Sequence, residues 1–149
     1  MVENSLKFNV DLIITRTKEI QVGLEKITNY VKIDVNDFLK NEERIAAVKY
    51  ELIVVIEAAS ILCNHITMRV GNRVPDTYSD CYTVLKESNV ISADLADRLK
   101  KMAQFRNLLV HRYDIIDDRR VYSTIKRDLN DLNLFIGEIK AFLEKQDVI

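Results

Sequence analysis

The stretch LIVVIEAASILC, residues 52–63, is apolar around nearly its whole circumference when it is wound into a helix. Its only polar residues are Glu57 and Ser60. A helix of this kind is buried on most of its sides. Its length also falls well short of the roughly 20 apolar residues that a membrane-spanning helix needs. The stretch therefore predicts the central helix of a folded core and no membrane span.

The composition leaves helices as the only long elements available to the chain. The 149 residues include 3 Gly and 1 Pro, which is too few for the tight turns of an all-β sandwich. Because 48% of the residues are hydrophobic and the formal net charge is −1, disorder is not expected. The length suits one domain, so residues 1–149 are expected to form a single helical domain.

Apolar residues repeat at helical spacing along most of the chain. The repeat predicts an all-α fold, an antiparallel up-and-down bundle of about five helices. Gly71 ends the second helix at the loop GNRVPD, and Ser92 caps the fourth. The predicted helices run over about 6–30, about 37–70, from a cap at 76 or 77 to about 87, from a cap at 92 to 110 or 111, and about 120–145.

The N-terminus and the cysteines favour a reducing compartment. The first residues, MVENSLKFNVD, have no basic segment before an apolar run, so no secretory signal is expected. Cys63 and Cys81 show no spacing typical of a disulfide framework. With two His and two Cys in the chain, a zinc site is not expected either. We predict a cytoplasmic protein that uses no metal and no cofactor.

Basic side chains are concentrated in one segment although the net charge is near zero. Residues 98–113 contain five cations and no acid. Such a patch suits phosphate binding, and an ordinary solvated helix face explains it equally well. The five are Arg98, Lys100, Lys101, Arg106 and Arg112.

The same segment holds the strongest candidate for chemistry, RNLLVHRY at residues 106–113. The chain has no P-loop, dinucleotide-binding, serine hydrolase or zinc protease motif. An arginine presents a planar fork of donors to phosphate oxygens, and a histidine both accepts and donates protons near neutral pH. Together they suffice to cleave RNA without a metal. The histidine assists attack by the ribose 2′-OH, and the arginine stabilises the pentacovalent phosphorane.

Spacing alone leaves two interpretations of this segment open. In a chain of this composition, Arg-x4-His arises by chance with a probability of about 13%, and the additional Tyr lowers this to about half a per cent. A purely structural interpretation has Arg106 in a surface ion pair and His111 as a cation favoured by the helix C-terminus. Tyr113 would then pack under the loop.

The segment MAQFRNLLVHRY, residues 102–113, resembles the HepT branch of the HEPN superfamily, whose hallmark is Arg-x4-His-x-Tyr. The likeness covers most of residues 45–135 and implies a HEPN-like helical bundle. Further stretches that match in order and spacing are VIEAASILCNHI (55–66), the loop 71–75, DTYSDCYTVLKESNVIS (76–92) and LADRLKKM (95–102).

The resemblance implies a function. Proteins of this branch are metal-independent RNA endonuclease toxins, usually homodimers in which both protomers line one cleft. Their partner is a small nucleotidyltransferase antitoxin, MntA-like, that transfers AMP onto the motif tyrosine. Carried over here, Arg106 would bind the scissile phosphate and His111 would be the general acid or base. Asn107 would orient the site, and Tyr113 would be the residue that receives AMP.

Two other functions fit the same fold, and the fold alone does not separate them. One is a non-catalytic HEPN module that binds nucleotide or holds a substrate for a nucleotidyltransferase. The other is a purely structural dimerisation bundle. Arg106 and His111 favour the nuclease, because an adaptor has no need of this pair. His65 belongs to an Asn-His pair found in the family, and a helical histidine satisfied by a neighbour explains it more simply than catalysis does.

Overall fold

The computed structural model describes residues 8–149, and every regular element in that range is an α-helix. The predicted all-α bundle is therefore confirmed for these residues. The first helix begins at Val10 rather than at about residue 6, because the Asn9 side chain caps it by accepting from the backbone N–H of Leu12. Residue 6 itself lies outside the described range. In chain order, the helices are α1 (Val10–Tyr30), α2 (Val35–Leu39), α3 (Glu42–Val70), α4 (Tyr78–Glu87), α5 (Ala93–His111), α6 (Asp118–Asp128) and α7 (Asp131–Lys145).

Residues 8–149 thus form seven helices rather than about five, because two of the predicted helices are each divided. In the second, local capping by polar side chains explains the break. Asp34 accepts a hydrogen bond from the backbone N–H of Asp37 and starts α2. Asn41 accepts one from the backbone N–H of Arg44 and starts α3. Each side chain satisfies a donor that a helix N-terminus leaves unpaired, so a new helix begins at each cap.

The last predicted helix is also two helices. It begins earlier than the predicted residue 120, because Asp117 caps α6 by accepting from the backbone N–H of Arg119. α6 ends at Asp128, and the backbone N–H of Leu132 then bonds the carbonyl of Leu129, three residues earlier. A bond of this span tightens the chain into a turn before α7.

The predicted central helix is α3. None of the residues 52–63 is exposed, and Val55, Ala59 and Leu62 are completely buried. α3 contacts α1, α2, α4 and α5 along its length. Among the described residues, no helix is both long and apolar enough to cross a bilayer.

Gly23 allows α1 to approach α3 closely. It is buried, and a Cβ atom at this position would collide with Cγ1 of Val55. We expect Gly23→Ala to lower the free energy of unfolding by about 1–3 kcal/mol, because overpacking a tight contact forces the helices apart. Gly137 in α7 is the matched control, since a Cβ there meets nothing within 4 Å. Gly137→Ala is expected to stabilise the protein by about 0.5–1 kcal/mol. Urea unfolding followed by helical circular dichroism measures both, and equal effects at the two glycines would contradict this packing.

The position of the site depends on α5. The Ser92 hydroxyl accepts from the backbone N–H of Leu95, as the predicted cap requires. α5 packs against α3, α4 and α7 through one face and ends at His111. Residues 106–113 therefore lie in the last turns of α5 and at the start of the loop to α6.

Candidate functional site

The side chain of Arg106 is held in place by an acid on the central helix. Its Nε and Nη2 atoms donate to Oε2 of Glu57 at 3.1 and 2.5 Å. Its third nitrogen, Nη1, lies 3.5 Å from Oδ1 of Asn107. Charge-assisted bonds of this kind orient a guanidinium strongly. The Arg106 side chain is 21% exposed, so the contact with Glu57 leaves an oriented guanidinium at the surface, with its charge balanced by the carboxylate.

His111 lies in the last turn of α5 and is exposed. Within residues 8–149 it has no hydrogen-bond or ion-pair partner. Five positions along a helix correspond to a rotation of about 140° relative to Arg106. Arg106 contacts α3, whereas His111 extends into solvent. One chain therefore presents the two side chains on different sides of α5 and does not bring them to a common point.

Tyr113 is anchored to the core by Lys49, a buried cation on α3. The Lys49 Nζ lies 2.8 Å from Oδ1 of Asp118 and donates to the Tyr113 carbonyl oxygen at 3.4 Å. It also lies 4.5 Å from the centroid of the Tyr113 ring, which is a cation–π contact. Tyr113 is nonetheless 44% exposed. The loop after α5 is thus fixed to α3, while part of the tyrosine side chain stays exposed to solvent.

Asn107 lines a polar cleft between α5 and the start of α4. The cleft has a volume of about 620 Å³ and is also lined by Asn64, Thr77, Tyr78 and Gln104. Arg106, His111 and Tyr113 do not line it. Asn107 therefore lies beside Arg106 and lines this cleft. His111 and Tyr113 neither contact Arg106 nor line the cleft.

The basic segment is partly neutralised by acids from elsewhere in the chain. Arg98 forms ion pairs with Asp94 and with the buried Asp131, each at 3.0 Å. Burial raises the pKa of Asp131, and the positive charge of Arg98 opposes that rise. Arg106 is paired with Glu57 in the same way. The segment therefore presents less free positive charge than its sequence suggests.

Comparison with known proteins identifies the family to which these elements belong. The family described as Ribonuclease HepT-like matches residues 20–139. The chain belongs to this family. The resemblance inferred from residues 102–113 is thereby confirmed.

Curated relatives and a solved structure agree with this assignment. The mRNA nuclease HepT of Shewanella oneidensis is 35% identical over 85 residues, covering 57% of this chain and 64% of that protein. The tRNA nuclease HepT of Aphanizomenon flos-aquae is 24% identical over 137 residues, covering 91% and 93%. The solved structure is that of the tri-AMPylated HEPN toxin of Shewanella oneidensis in complex with an MNT antitoxin. It superposes with a TM-score of 0.80 at 30% identity, covering 88% of this chain and 98% of that one. The HEPN-like fold is therefore confirmed.

The partners of the motif in this HepT-like protein, Glu57 and Lys49, are the residues that sequence reasoning missed. Glu57 had a detectable signal, because it is the only charged residue within the apolar stretch 52–63. An acid in such a place predicts a cationic partner. Lys49 had no such signal in the sequence, because a lysine one turn before the apolar stretch cannot be distinguished from a solvent-exposed lysine. The ion pair that the structural interpretation predicts for Arg106 is also present, with Glu57 as the partner.

His65 and the two cysteines of this HepT-like chain are buried. His65 is buried, and its Nε2 accepts a hydrogen bond from the backbone N–H of Asn9 at 3.0 Å. Burial lowers the pKa of His65, and the charge of Arg69 adds to the effect. The prediction of a satisfied helical histidine is confirmed. Cys63 and Cys81 are free and buried, and residues 8–149 contain no cluster of three metal-ligating side chains.

Proposed function

We propose that this protein is a metal-independent RNA endonuclease, the toxin of a toxin–antitoxin pair, in which Arg106 and His111 perform the cleavage. The observation that carries the proposal is the motif geometry at the end of α5 in a HepT-like chain. An oriented guanidinium and an exposed imidazole lie there within one and a half helical turns. The curated relatives bear the names of nucleases that act on mRNA and tRNA, so the substrate class proposed here is RNA.

The reaction is an in-line transfer at phosphorus. A neutral imidazole takes the proton of the ribose 2′-OH, and the 2′-oxygen forms a bond to the adjacent phosphorus. The bond from phosphorus to the 5′-oxygen of the next nucleotide breaks, and an imidazolium protonates that oxygen. The products carry a 2′,3′-cyclic phosphate and a 5′-hydroxyl. Arg106 donates to the non-bridging oxygens, whose charge increases in the pentacovalent state, and Asn107 orients Arg106 through Oδ1.

We assign the regulation to Tyr113. A small nucleotidyltransferase antitoxin of the MntA type would transfer AMP from ATP to this residue. The phenol oxygen attacks the α-phosphorus, pyrophosphate leaves, and the phenol proton passes to solvent or to a base of the antitoxin. Tyr113 suits this role because it is exposed and because Lys49 holds its loop in place. The structural neighbour supports the assignment, since it is a tri-AMPylated HEPN toxin bound to its antitoxin.

The cleavage chemistry requires an acid and a base, which leads us to propose a homodimer. One chain provides a single motif histidine, and His65 is buried with its Nε2 already bonded. A two-fold axis near the ends of both α5 helices would bring His111 and its counterpart into one cleft. Asymmetric binding of RNA would then make one imidazole the base and the other the acid. In such a dimer, Arg106 of one protomer and His111 of the other would lie in one shared site.

A mixed dimer tests this function and the shared site together. One wild-type protomer and one His111→Ala protomer are joined and purified through two different affinity tags. The wild-type dimer is expected to cleave RNA in excess EDTA, and the mixed dimer is expected to be nearly inactive. If the wild-type dimer cleaves no RNA, the nuclease function is wrong. If the mixed dimer keeps half of the wild-type rate, each protomer works alone and the shared site is wrong.

A further inference from the structure

A second cleft with basic walls lies between α5 and α6. Its volume is about 480 Å³. Arg98 and Lys101 line it from α5, and Arg120 and Arg127 line it from α6, whereas Asp128 is the only acid among its lining residues. The floor is apolar and consists of Met102, Phe105 and Leu108. The cations of α5 lie close together in the sequence, whereas those of α6 join them only in the folded chain, which brings the two helices together.

Two of the four cations have no acidic partner among residues 8–149. Arg98 is paired with Asp94 and Asp131, and Arg127 is paired with its neighbour Asp128. Lys101 and Arg120 form no ion pair with a described residue. The guanidinium of Arg120 instead lies 5.7 Å from the centroid of the Phe105 ring, at the floor of the cleft. Two unbalanced positive charges thus face one cavity, an arrangement that attracts an anionic ligand.

The cleft is continuous with the face of α5 that carries His111. Residues 101, 104, 108 and 111 follow at intervals of three, four and three, so their side chains form one stripe on the helix. The first three line the cleft, and the fourth is the motif histidine. The stripe spans about 15 Å at the rise of an α-helix. A ligand that extends along it from the cleft reaches His111.

We propose that this cleft binds single-stranded RNA beside the cleavage site, with phosphates at Lys101 and Arg120 and a base against the apolar floor. The proposal rests on the function proposed above, because the RNA it would hold is the substrate of His111. Cationic walls combined with an apolar or aromatic platform are the usual means of binding single strands without sequence preference. RNA is favoured over an acidic protein partner because the stripe connects the cleft directly to the motif.

RNA binding is measured in the His111→Ala variant, which is expected not to cleave the RNA. A fluorescent, mixed-sequence, single-stranded RNA oligonucleotide is titrated at several salt concentrations. The test variant adds Lys101→Gln and Arg120→Gln. The control variant instead adds Lys18→Gln and Lys26→Gln, which remove the same charge from α1, where both lysines line a different groove. Each phosphate contact to a single strand contributes about 0.7 to the slope of log affinity against log salt, so the test variant is expected to lose about 1.4.

The control variant is expected to keep the slope of the parent protein. A smaller slope in the test variant but not in the control variant supports the proposal. Equal slopes in the parent and the test variant would overturn it. It is also overturned if the test variant binds RNA normally but no longer binds the antitoxin, since the cleft is then a protein site. Cleavage assays with wild-type His111 separate the failure of the nuclease function from the failure of the RNA-binding cleft. If the protein binds RNA through this cleft but does not cleave it, the nuclease function is wrong and the binding site stands.

Discussion

RNA cleavage is expected to fall at least about hundredfold when either Arg106 or His111 is replaced by alanine. Arg106→Ala removes the guanidinium that stabilises charge on the phosphorane. His111→Ala removes the group that transfers protons to and from the two ribose oxygens. The fold should survive both changes. Glu57, which loses its partner in Arg106→Ala, is 39% exposed and is left as a hydrated carboxylate rather than a buried charge.

Initial rates on a defined RNA measure the effect, and the helical circular dichroism of each variant verifies folding. Arg119→Ala is the matched control, because Arg119 is an exposed arginine in the first turn of α6 that lies outside the motif. It is expected to retain the wild-type rate. Full activity in either motif variant would show that a different site, or a contaminating nuclease, performs the cleavage.

Transfer of AMP to Tyr113 is expected to abolish cleavage. The modification places an anionic phosphate two residues from His111, where it repels the RNA backbone. Tyr113→Phe should cleave RNA and resist inactivation by the antitoxin and ATP. The phenyl ring retains the cation–π contact with Lys49, so the loop should keep its position.

Intact mass and cleavage rate, measured after incubation with the antitoxin and ATP, test this expectation. The wild type should gain the mass of one or more AMP units and lose activity, and Tyr113→Phe should do neither. Tyr50→Phe is the matched control, because Tyr50 is 64% exposed on α3 and lies outside the motif. This control should be modified and inactivated like the wild type. Normal inactivation of Tyr113→Phe would mean that another residue, or complex formation alone, silences the toxin.

The bundle could be predicted from the sequence because burial leaves a periodic signal. The apolar stretch 52–63 identified the central helix, and Ser92 marked the start of α5. The divisions between α2 and α3 and between α6 and α7 were missed. A side chain such as Asn41 can cap a helix or remain in its interior, and the hydrogen bond that decides between them is visible only in the structure.

The order of the motif residues could also be read from the sequence, but their surroundings could not. Glu57 precedes Arg106 by 49 positions, and Lys49 precedes Tyr113 by 64. No local pattern links residues so far apart, because only the packing of α3 against α5 and the following loop brings them together. The structure also places Arg106 and His111 on different sides of α5, which was not predicted from the sequence. One chain therefore supplies a single motif histidine on a side of α5 that Arg106 does not share, and the proposed active site includes a second copy of the chain.

The chemistry of the RNA ends tests the central claim most directly. A labelled RNA is cleaved by the purified protein in excess EDTA, and the termini of the products are identified by mass spectrometry. The same RNA with a single 2′-deoxy substitution at the mapped cleavage site is treated in parallel. Attack by the 2′-OH, assisted by His111 and Arg106, predicts a 2′,3′-cyclic phosphate, a 5′-hydroxyl and no cleavage of the deoxy substrate. Cleavage that stops in EDTA, or that cuts the deoxy substrate to leave 5′-phosphate ends, would contradict the account.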